Sequence, residues 1–282
     1  MTYQPNHAVA RRRGFTLVEL LAVFAIMAIL AGLVLPAVAP ARNSPAIYCM
    51  NNLKQMQLGW VMYADDFKGI LLPNAPGDLK LDSQRPLSGN SIAWSGLEQE
   101  GWGALDANTN SAYYAQSLLN PYLAHQTDTY RCPADSVPSA NGQRLRSYSM
   151  NGQVGQHLLS QLGPGYLANN NPGYRVYNTM DDLTCPGPSM SWIFCDEHAG
   201  SIDDGFLRVN LSNPIWPDVP GSYHGGSCGF SFADGHVEMR KWLTAAIKIP
   251  VILGVTLHDV EAGRNNPDYL WFAQRTACLA GE

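Results

Sequence analysis

The chain has 282 residues, enough to bury a sizeable hydrophobic core, and only 15% of them are charged. Glycine (26 residues) and proline (19 residues) are abundant, which predicts many turns and long loops around a β-rich body. The formal net charge of −5 provides no general excess of basic side chains to neutralise phosphates. Composition therefore argues against a nucleic-acid-binding protein.

The first feature along the chain is a run of three arginines, at positions 11–13, followed by a long apolar segment. Residues 15–35 contain one ionisable side chain, Glu19. A helix of that length spans ~31 Å, close to the ~30 Å of a bilayer's hydrocarbon core. Because positive residues stay on the cytoplasmic side, the sequence predicts a transmembrane helix with a cytoplasmic N-terminus and an exported body.

Glu19 needs an explanation, because a carboxylate within a membrane helix costs roughly 2.5–3.5 kcal/mol. A plain alternative is a secretory signal peptide with a cleavage site near Ala39 to Ala41. That alternative gives Glu19 no role, so it leaves the energetic cost unexplained.

Residues 14–21 read Gly-Phe-Thr-Leu-Val-Glu-Leu-Leu, and this stretch resembles the signature of the type IV prepilins. The resemblance implies that residues 1–14 are a leader, which prepilin peptidase removes after Gly14, and that the new amine of Phe15 is methylated. It also implies that residues 15–35 are retained as an assembly helix, in which Glu19 pairs with the terminal amine of a neighbouring subunit.

The same resemblance implies the partners and the location of the protein. The partners are identical or related pilin subunits, the peptidase and an inner-membrane assembly platform. The precursor would lie in the inner membrane with a periplasmic body, and the mature chain would join a periplasmic or cell-surface filament. A pilus and a type II secretion-like pseudopilus remain open alternatives, and a minor or specialised subunit is favoured by the large body.

Prolines at positions 36, 40 and 45 predict that the helix loosens between Leu35 and Ser44, with Ser44 and Pro45 starting a second helical segment. Apolar residues then recur at spacings of three and four, which predicts an amphipathic continuation over residues 36–67. The residues of this stripe are Cys49, Leu53, Met56, Trp60, Tyr63 and Phe67.

Residues 68–282 are predicted to form an extracytoplasmic, β-rich globular domain. A short helix is predicted over 111–123, and strands over 129–133, 146–151, 174–177, 190–195 and 206–210. Asp234 and Gly235 predict a two-residue hairpin turn that places Phe232 opposite Val237, with one apolar and one polar face. The predicted fold class is α+β: a long N-terminal helix packed on an antiparallel sheet, pilin-like, with long loops.

His224 precedes Asp234-Gly235 in an H-x9-D-G pattern. This pattern resembles the C-terminal signature of a pilin-like family, abundant in planctomycetes and related bacteria, that also begins with the prepilin motif. The family's biochemical role is poorly defined, so the resemblance bears on architecture more than on a specific task.

The six cysteines form no C-x-x-C pair and no local Cys/His spacing typical of zinc, which argues against structural zinc. In an exported body they could pair as disulfides, and six cysteines allow 15 full pairings. Cys195 and Cys228 lie in apolar, strand-like runs and fit free buried thiols equally well.

Four carboxylates bracket a glycine-containing loop and are potential calcium ligands: Asp196, Glu197, Asp203 and Asp204. Solvated turn carboxylates are the simpler interpretation. The histidines at positions 198, 224 and 236 are predicted to fix loops by hydrogen bonds rather than to bind metal.

Residues 225–229 match the G-x-S-x-G pattern of hydrolases at Ser227, but a hydrolase serine requires a strand-to-helix turn, and here a hairpin follows. The rival class is a membrane-anchored hydrolytic or carbohydrate-binding domain exported by the prepilin route. Trp94, Trp102 and Trp216 are its candidate sugar-stacking residues. The sequence as a whole favours a structural subunit over an enzyme.

Overall fold

The computed structural model describes residues 15–38, 44–74, 101–115, 117–156 and 171–281, with side chains in the first helix described through residue 31. The chain divides into two compact units, Met1–Ser44 and Pro45–Glu282. The first unit contains helix α1 (Leu17–Val38), and all side chains of residues 15–31 are exposed. Helix α1 runs on through Pro36 and ends at Val38, within the predicted interval between Leu35 and Ser44.

Within the part of the chain that the structure describes, no helix has the combination of length and apolar character needed to cross a membrane. The transmembrane prediction for residues 15–35 is not supported by this result.

The second unit begins with helix α2 (Pro45–Asp66), which starts at Pro45 as predicted. Five residues of the predicted apolar stripe are buried, from Cys49 to Tyr63. The last, Phe67, lies beyond the helix and stays exposed, where its ring stacks on Tyr63 at a centroid distance of 4.3 Å. The stripe therefore marks the buried face of α2.

The described residues contain seven strands, which form two sheets. They are β1 (Tyr148–Asn151), β2 (Trp192–Asp196), β3 (Phe206–Leu207), β4 (Ile215–Trp216), β5 (Ser227–Phe232), β6 (Val237–Lys241) and β7 (Val260–Glu261). The main sheet has the order β3-β1-β2-β5-β6, and β4 pairs with β7 in a small second sheet. The α+β prediction is confirmed, but the main sheet is mixed rather than antiparallel, because β1 and β3 run parallel.

Two hydrophobic clusters cover the two faces of the main sheet. On one face, α2 contributes Leu53 and Trp60 to a cluster that includes Phe194 of β2. On the other face, Trp192 and Phe230 pack in a cluster with helix α4 (Pro267–Thr276). Because both faces are covered, the central strands β2 and β5 are buried along their whole length.

The connecting segments contain short helical elements. They are α3 (Ser111–Ala115) and 3-10 turns at Asp106–Asn108, Asn120–Leu123, Thr127–Tyr130, Met180–Asp182 and Ala245–Ile247. The predicted helix over 111–123 is divided between α3 and a 3-10 turn. The predicted strand over 129–133 is wrong, since a 3-10 turn occupies its start. The predicted strand over 174–177 is reduced to isolated bridges at Tyr174 and Tyr177.

The β5–β6 hairpin differs from the prediction by one residue in register. Ser231, rather than Phe232, lies opposite Val237, and Phe232 closes the loop by accepting a hydrogen bond from Gly235. The loop therefore has three residues, with Gly235 at a φ of 92° as its left-handed residue. Ser231 lies on the predicted polar face, but it is fully buried and donates a hydrogen bond to Gln57 of α2 at 2.9 Å.

One disulfide joins Cys185, which follows the Met180–Asp182 turn, to Cys278, which follows α4. Among the described residues, four cysteines are free and buried: Cys49, Cys132, Cys195 and Cys228. Of the two alternatives left open for Cys195 and Cys228, disulfide or free thiol, the structure shows free buried thiols.

Candidate functional site

The N-terminal motif forms a capping box at the start of α1. The backbone N–H and the hydroxyl of Thr16 both donate hydrogen bonds to Oε2 of Glu19, at 2.8 and 2.9 Å. In return, the N–H of Glu19 donates to the Thr16 hydroxyl at 3.3 Å. These reciprocal bonds satisfy backbone donors that a helix start leaves open, so they define where α1 begins.

The capping box leaves Phe15 outside the helix, with 81% of its surface exposed. Gly14 and the rest of the leader lie outside the described residues. Glu19 therefore has a partner within its own chain, a role that the sequence analysis missed although Thr-x-x-Glu is the sequence signature of a capping box.

A second constellation lies inside the globular unit, where four side chains converge: Cys49, Cys132, Asp196 and His224. Their ligand atoms all lie within 4.8 Å of one another. The Cys49 sulfur is 3.5 Å from each carboxylate oxygen of Asp196. The Cys132 sulfur is 3.1 Å from Nε2 of His224, and that nitrogen is 3.8 Å from Oδ2 of Asp196.

Four separate elements supply these four side chains, which we call the Cys-Asp-His cluster. Cys49 lies on α2, Asp196 ends β2, Cys132 follows the Thr127–Tyr130 turn, and His224 lies in the loop before β5. Cys49 and Asp196 are 147 residues apart in sequence, and Cys132 and His224 are 92 apart. No local spacing rule could have found this arrangement, because only the fold brings the four together.

Burial is the largest influence on the pKa values of three side chains in the cluster, Cys49, Asp196 and His224. It raises the pKa of Asp196 to about 7, although hydrogen bonds from the Gly229 N–H and the Cys49 thiol act in the opposite direction. Burial also raises the pKa of the Cys49 thiol and lowers the pKa of His224. Two sulfurs, an imidazole nitrogen and a carboxylate oxygen form a donor set suited to a transition metal.

The four predicted calcium ligands do not share one set of contacts. The carboxylate of Asp196 belongs to the Cys-Asp-His cluster, whereas Glu197 accepts hydrogen bonds from Ser149 and Ser201. Successive residues of an extended chain point to opposite sides, which accounts for the separation. Calcium binding by the full set stays a prediction.

The other three predicted calcium ligands belong to a separate acidic group. This group consists of Glu197, Asp203 and Asp204, together with Asp218. Burial, followed by the nearby charges of Asp218 and Asp203, raises the pKa of Glu197 well above its usual range. Burial and the same two charges also raise the pKa of Asp204. Arg208 binds Asp218 through two parallel hydrogen bonds of 3.1 and 3.0 Å, which compensates part of this negative charge.

The other predicted histidines make local hydrogen bonds. His198 accepts a hydrogen bond from the N–H of Gly200 at 3.0 Å, and Nδ1 of His236 lies 2.6 Å from the Asp234 carboxylate. Asp234 and Gly235 form the β5–β6 loop, so the H-x9-D-G pattern spans strand β5 from its preceding loop to its following loop. His224 differs from the other two because it belongs to the Cys-Asp-His cluster.

Ser227 is the first residue of β5, with Lys241 of β6 opposite it. It therefore lies on a strand of a hairpin rather than on the strand-to-helix turn of a hydrolase. The His224 ring nitrogen Nε2 faces the Cys132 sulfur.

The candidate sugar-stacking tryptophans have different environments. Trp216 is fully buried, so its ring cannot stack on a ligand, and Trp94 lies outside the described residues. Trp102 donates its indole N–H to the Val255 carbonyl at 2.8 Å, and the Arg144 guanidinium lies 5.1 Å from its ring centre. Trp102 also lines an open pocket of about 330 Å³.

Comparison with known proteins identifies the N-terminal segment alone. A family model described as a prokaryotic N-terminal methylation motif matches residues 9–35. The chain carries a prepilin-type motif. The match includes Gly14, Phe15 and Glu19, which the sequence analysis singled out. No curated protein and no solved structure matches the chain, and its kinship with the H-x9-D-G family stays a prediction.

Proposed function

We propose that this chain is a structural subunit of a type IV pilus or of a type II secretion-like pseudopilus. Prepilin peptidase removes residues 1–14, Phe15 becomes the methylated N-terminus, and copies of the chain polymerise through residues 15–35. The observation that carries this proposal is the methylation motif, which introduces a helix whose apolar side chains, over the described residues 15–31, are all exposed.

The exposure of α1 supports an assembly role. An exposed apolar patch of this size is rare on a monomer and marks a surface that contacts lipid or protein. A helix that is apolar all round requires a surrounding apolar environment. In the precursor the inner membrane supplies that environment, and in the filament the same helices of neighbouring subunits replace it.

Glu19 fits both states. In the precursor, the donors of Thr16 occupy its carboxylate. After cleavage, the positively charged amine of Phe15 from the next subunit is the stronger partner, because a charged donor makes a shorter and stronger hydrogen bond. Pairing lowers the free-energy cost of holding the Glu19 carboxylate in an apolar surrounding. An isolated subunit has no such partner, so the ion pair favours assembly.

The disulfide of the globular unit supports an extracytoplasmic location for that unit. Its disulfide, between Cys185 and Cys278, belongs to the kind of bond that forms and persists in oxidising compartments such as the periplasm. The unit has its own hydrophobic clusters on both sheet faces, so it does not require α1 to complete its core. In the proposed filament this acidic body forms the outer surface.

The mass of the mature protein from its native host tests the proposal. Cleavage after Gly14 predicts a chain that begins with methylated Phe15. A chain that begins near Ala41 or Arg42 would contradict the proposal, because it would show removal of the apolar segment by signal peptidase. A chain that retains residues 1–14 in cells with active prepilin peptidase would contradict it as well.

A further inference from the structure

The geometry of the Cys-Asp-His cluster points to a further site in the globular unit. We propose that Cys49, Cys132, Asp196 and His224 bind one zinc ion, and that this ion fixes the start of α2 to the sheet. The inference is independent of the proposed filament role, because it concerns only residues of the Pro45–Glu282 unit.

The distances between the side chains are close to those of a tetrahedral zinc site. Zinc lies about 2.3 Å from thiolate sulfur and about 2.0–2.2 Å from histidine nitrogen and carboxylate oxygen, so tetrahedral ligands lie roughly 3.3–3.8 Å from one another. Three of the separations are 3.1 Å for Cys132 to His224, 3.5 Å for Cys49 to Asp196 and 3.8 Å for His224 to Asp196. Because all four ligand atoms lie within 4.8 Å of one another, side-chain shifts of about an ångström bring them onto one ion.

The donor set favours zinc among the available cations. Calcium and magnesium prefer oxygen ligands, whereas two sulfurs with one nitrogen and one oxygen suit zinc in tetrahedral geometry. On binding, the two thiols release their protons to solvent and coordinate as thiolates. Cys49, Cys132 and Asp196 are fully buried, and the His224 side chain is 5% exposed. Four protein ligands in a closed site are typical of structural rather than catalytic zinc.

The surroundings of the cluster hold its ligands in place. The N–H of Gly229 donates to Oδ2 of Asp196 at 2.8 Å, and the N–H of Cys132 donates to the Ser147 hydroxyl at 2.6 Å. A Cβ atom at Gly229 would lie 3.1 Å from the Cys49 sulfur and 3.2 Å from Asp196 Oδ2. Any larger residue at position 229 would therefore intrude on the cluster. Hydrogen bonds that hold ligand side chains in place, as here, are typical of metal sites.

The complete burial of Asp196 also favours a bound cation. Among the described residues, the ion-pair partner of the buried Asp196 is His224, at 3.8 Å. A buried carboxylate without a strong cationic partner is costly, and a divalent cation would remove that cost.

Zinc analysis of the full-length protein, purified in mild detergent without chelators, tests the proposal. We expect about one zinc per chain in the wild type and loss of that zinc in Cys132→Ser and in His224→Gln. Matched controls replace a cysteine and a histidine outside the cluster: Cys195→Ala and His236→Gln should both retain the metal. Equal zinc content in the wild type and all of these variants would overturn the assignment.

A second measurement uses the wild type alone and does not depend on whether a variant folds. The protein is stripped with a chelator under reducing conditions and reloaded with cobalt, whose spectrum reports coordination geometry. We expect tetrahedral bands with thiolate charge transfer, and reloading with zinc should raise the thermal midpoint by at least about 5 °C. Octahedral cobalt or an unchanged midpoint would overturn the proposal.

Mapping of disulfides distinguishes the main competing state of the cluster. The zinc site requires reduced thiols, so denatured and chelated protein should show reactive Cys49 and Cys132. A disulfide between these two residues in the freshly isolated protein would overturn the proposal, as would copper in place of zinc.

Discussion

Glu19 has two candidate roles that can be separated by mutation, namely capping α1 and pairing with a neighbouring amine. Glutamine at this position keeps the capping box, because Gln also serves at the third helical position, but it removes the charge. Alanine at Thr16 does the reverse, since it removes the cap and keeps the carboxylate. Together the two variants report which property matters for assembly.

We expect Glu19→Gln to be exported and processed normally but to be excluded from filaments, because the incoming amine then lacks its anionic partner. Thr16→Ala should still be incorporated. The measurement is the amount of each variant in sheared filaments relative to the membrane fraction. Normal incorporation of Glu19→Gln, or loss of both variants to the same degree, would contradict the charge-pairing argument.

The acidic group around Asp204 should make the stability of the fold depend on pH. Burial and the charges of Asp203 and Asp218 raise the pKa of Asp204 above its value in the unfolded chain. A raised carboxylate pKa contributes stability at low pH that is lost as pH rises through the folded-state value. Asparagine at this position cannot ionise, so it avoids that loss while its side-chain oxygen can still accept the hydrogen bond from Phe206.

Asp204→Asn is therefore expected to raise the thermal midpoint more at pH 8 than at pH 4. Thermal unfolding of the full chain at both pH values measures the difference. The exposed Asp181 lies in another part of the fold, and Asp181→Asn serves as the control, with little change at either pH. A gain of the same size at both pH values would contradict the assignment of the effect to ionisation.

At the scale of elements, the helices and central strands were predictable because their apolar residues repeat with the right period. The stripe from Cys49 to Tyr63 identified the buried face of α2. The predicted strand over 146–151 contains β1, and the one over 190–195 overlaps β2 but ends one residue before Asp196. The hairpin register was not predictable from Asp234-Gly235 alone. Two-residue and three-residue loops share that dipeptide, and a shift of one residue turns each side chain to the other face.

The packing of α2 on the sheet makes a matched prediction on one helix. Leu53 is fully buried against the sheet, whereas Leu58 is 47% exposed. Leu53→Ala should lower the free energy of unfolding by about 2–5 kcal/mol, because it removes buried methyl groups and leaves a cavity. Leu58→Ala should change it by less than about 0.5 kcal/mol.

Chemical denaturation of the full chain in mild detergent measures both leucine variants. Similar losses for the two substitutions would contradict the packing of α2, since the same atoms are removed from the same helix in each case. Leu53 packs close to Gly229, where an added Cβ would lie 2.6 Å from Leu53 Cδ1.

At the scale of the whole molecule, the sequence predicted the division between an apolar N-terminal segment and a globular β-rich body. It did not predict the Cys-Asp-His cluster, because its members come from four elements and meet only when α2 packs on the sheet. The lack of a local Cys/His spacing excludes only a zinc site whose ligands lie close together in the sequence. Spatial convergence of distant residues requires the fold, and this is why the cysteines looked unrelated in the sequence.

The two units of the chain carry different features. The apolar α1 carries the methylation motif and an exposed surface suited to assembly, while the body carries the disulfide and the proposed zinc site. Both of the latter tie distant parts of the body together.

The most direct test of the central claim is to isolate native filaments and determine the N-terminus of this chain within them. The account predicts that the chain is a component of the filament and begins with methylated Phe15, with residues 15–35 intact. Recovery of the chain only as a free body that lacks the apolar segment, with none in the filaments, would contradict the account.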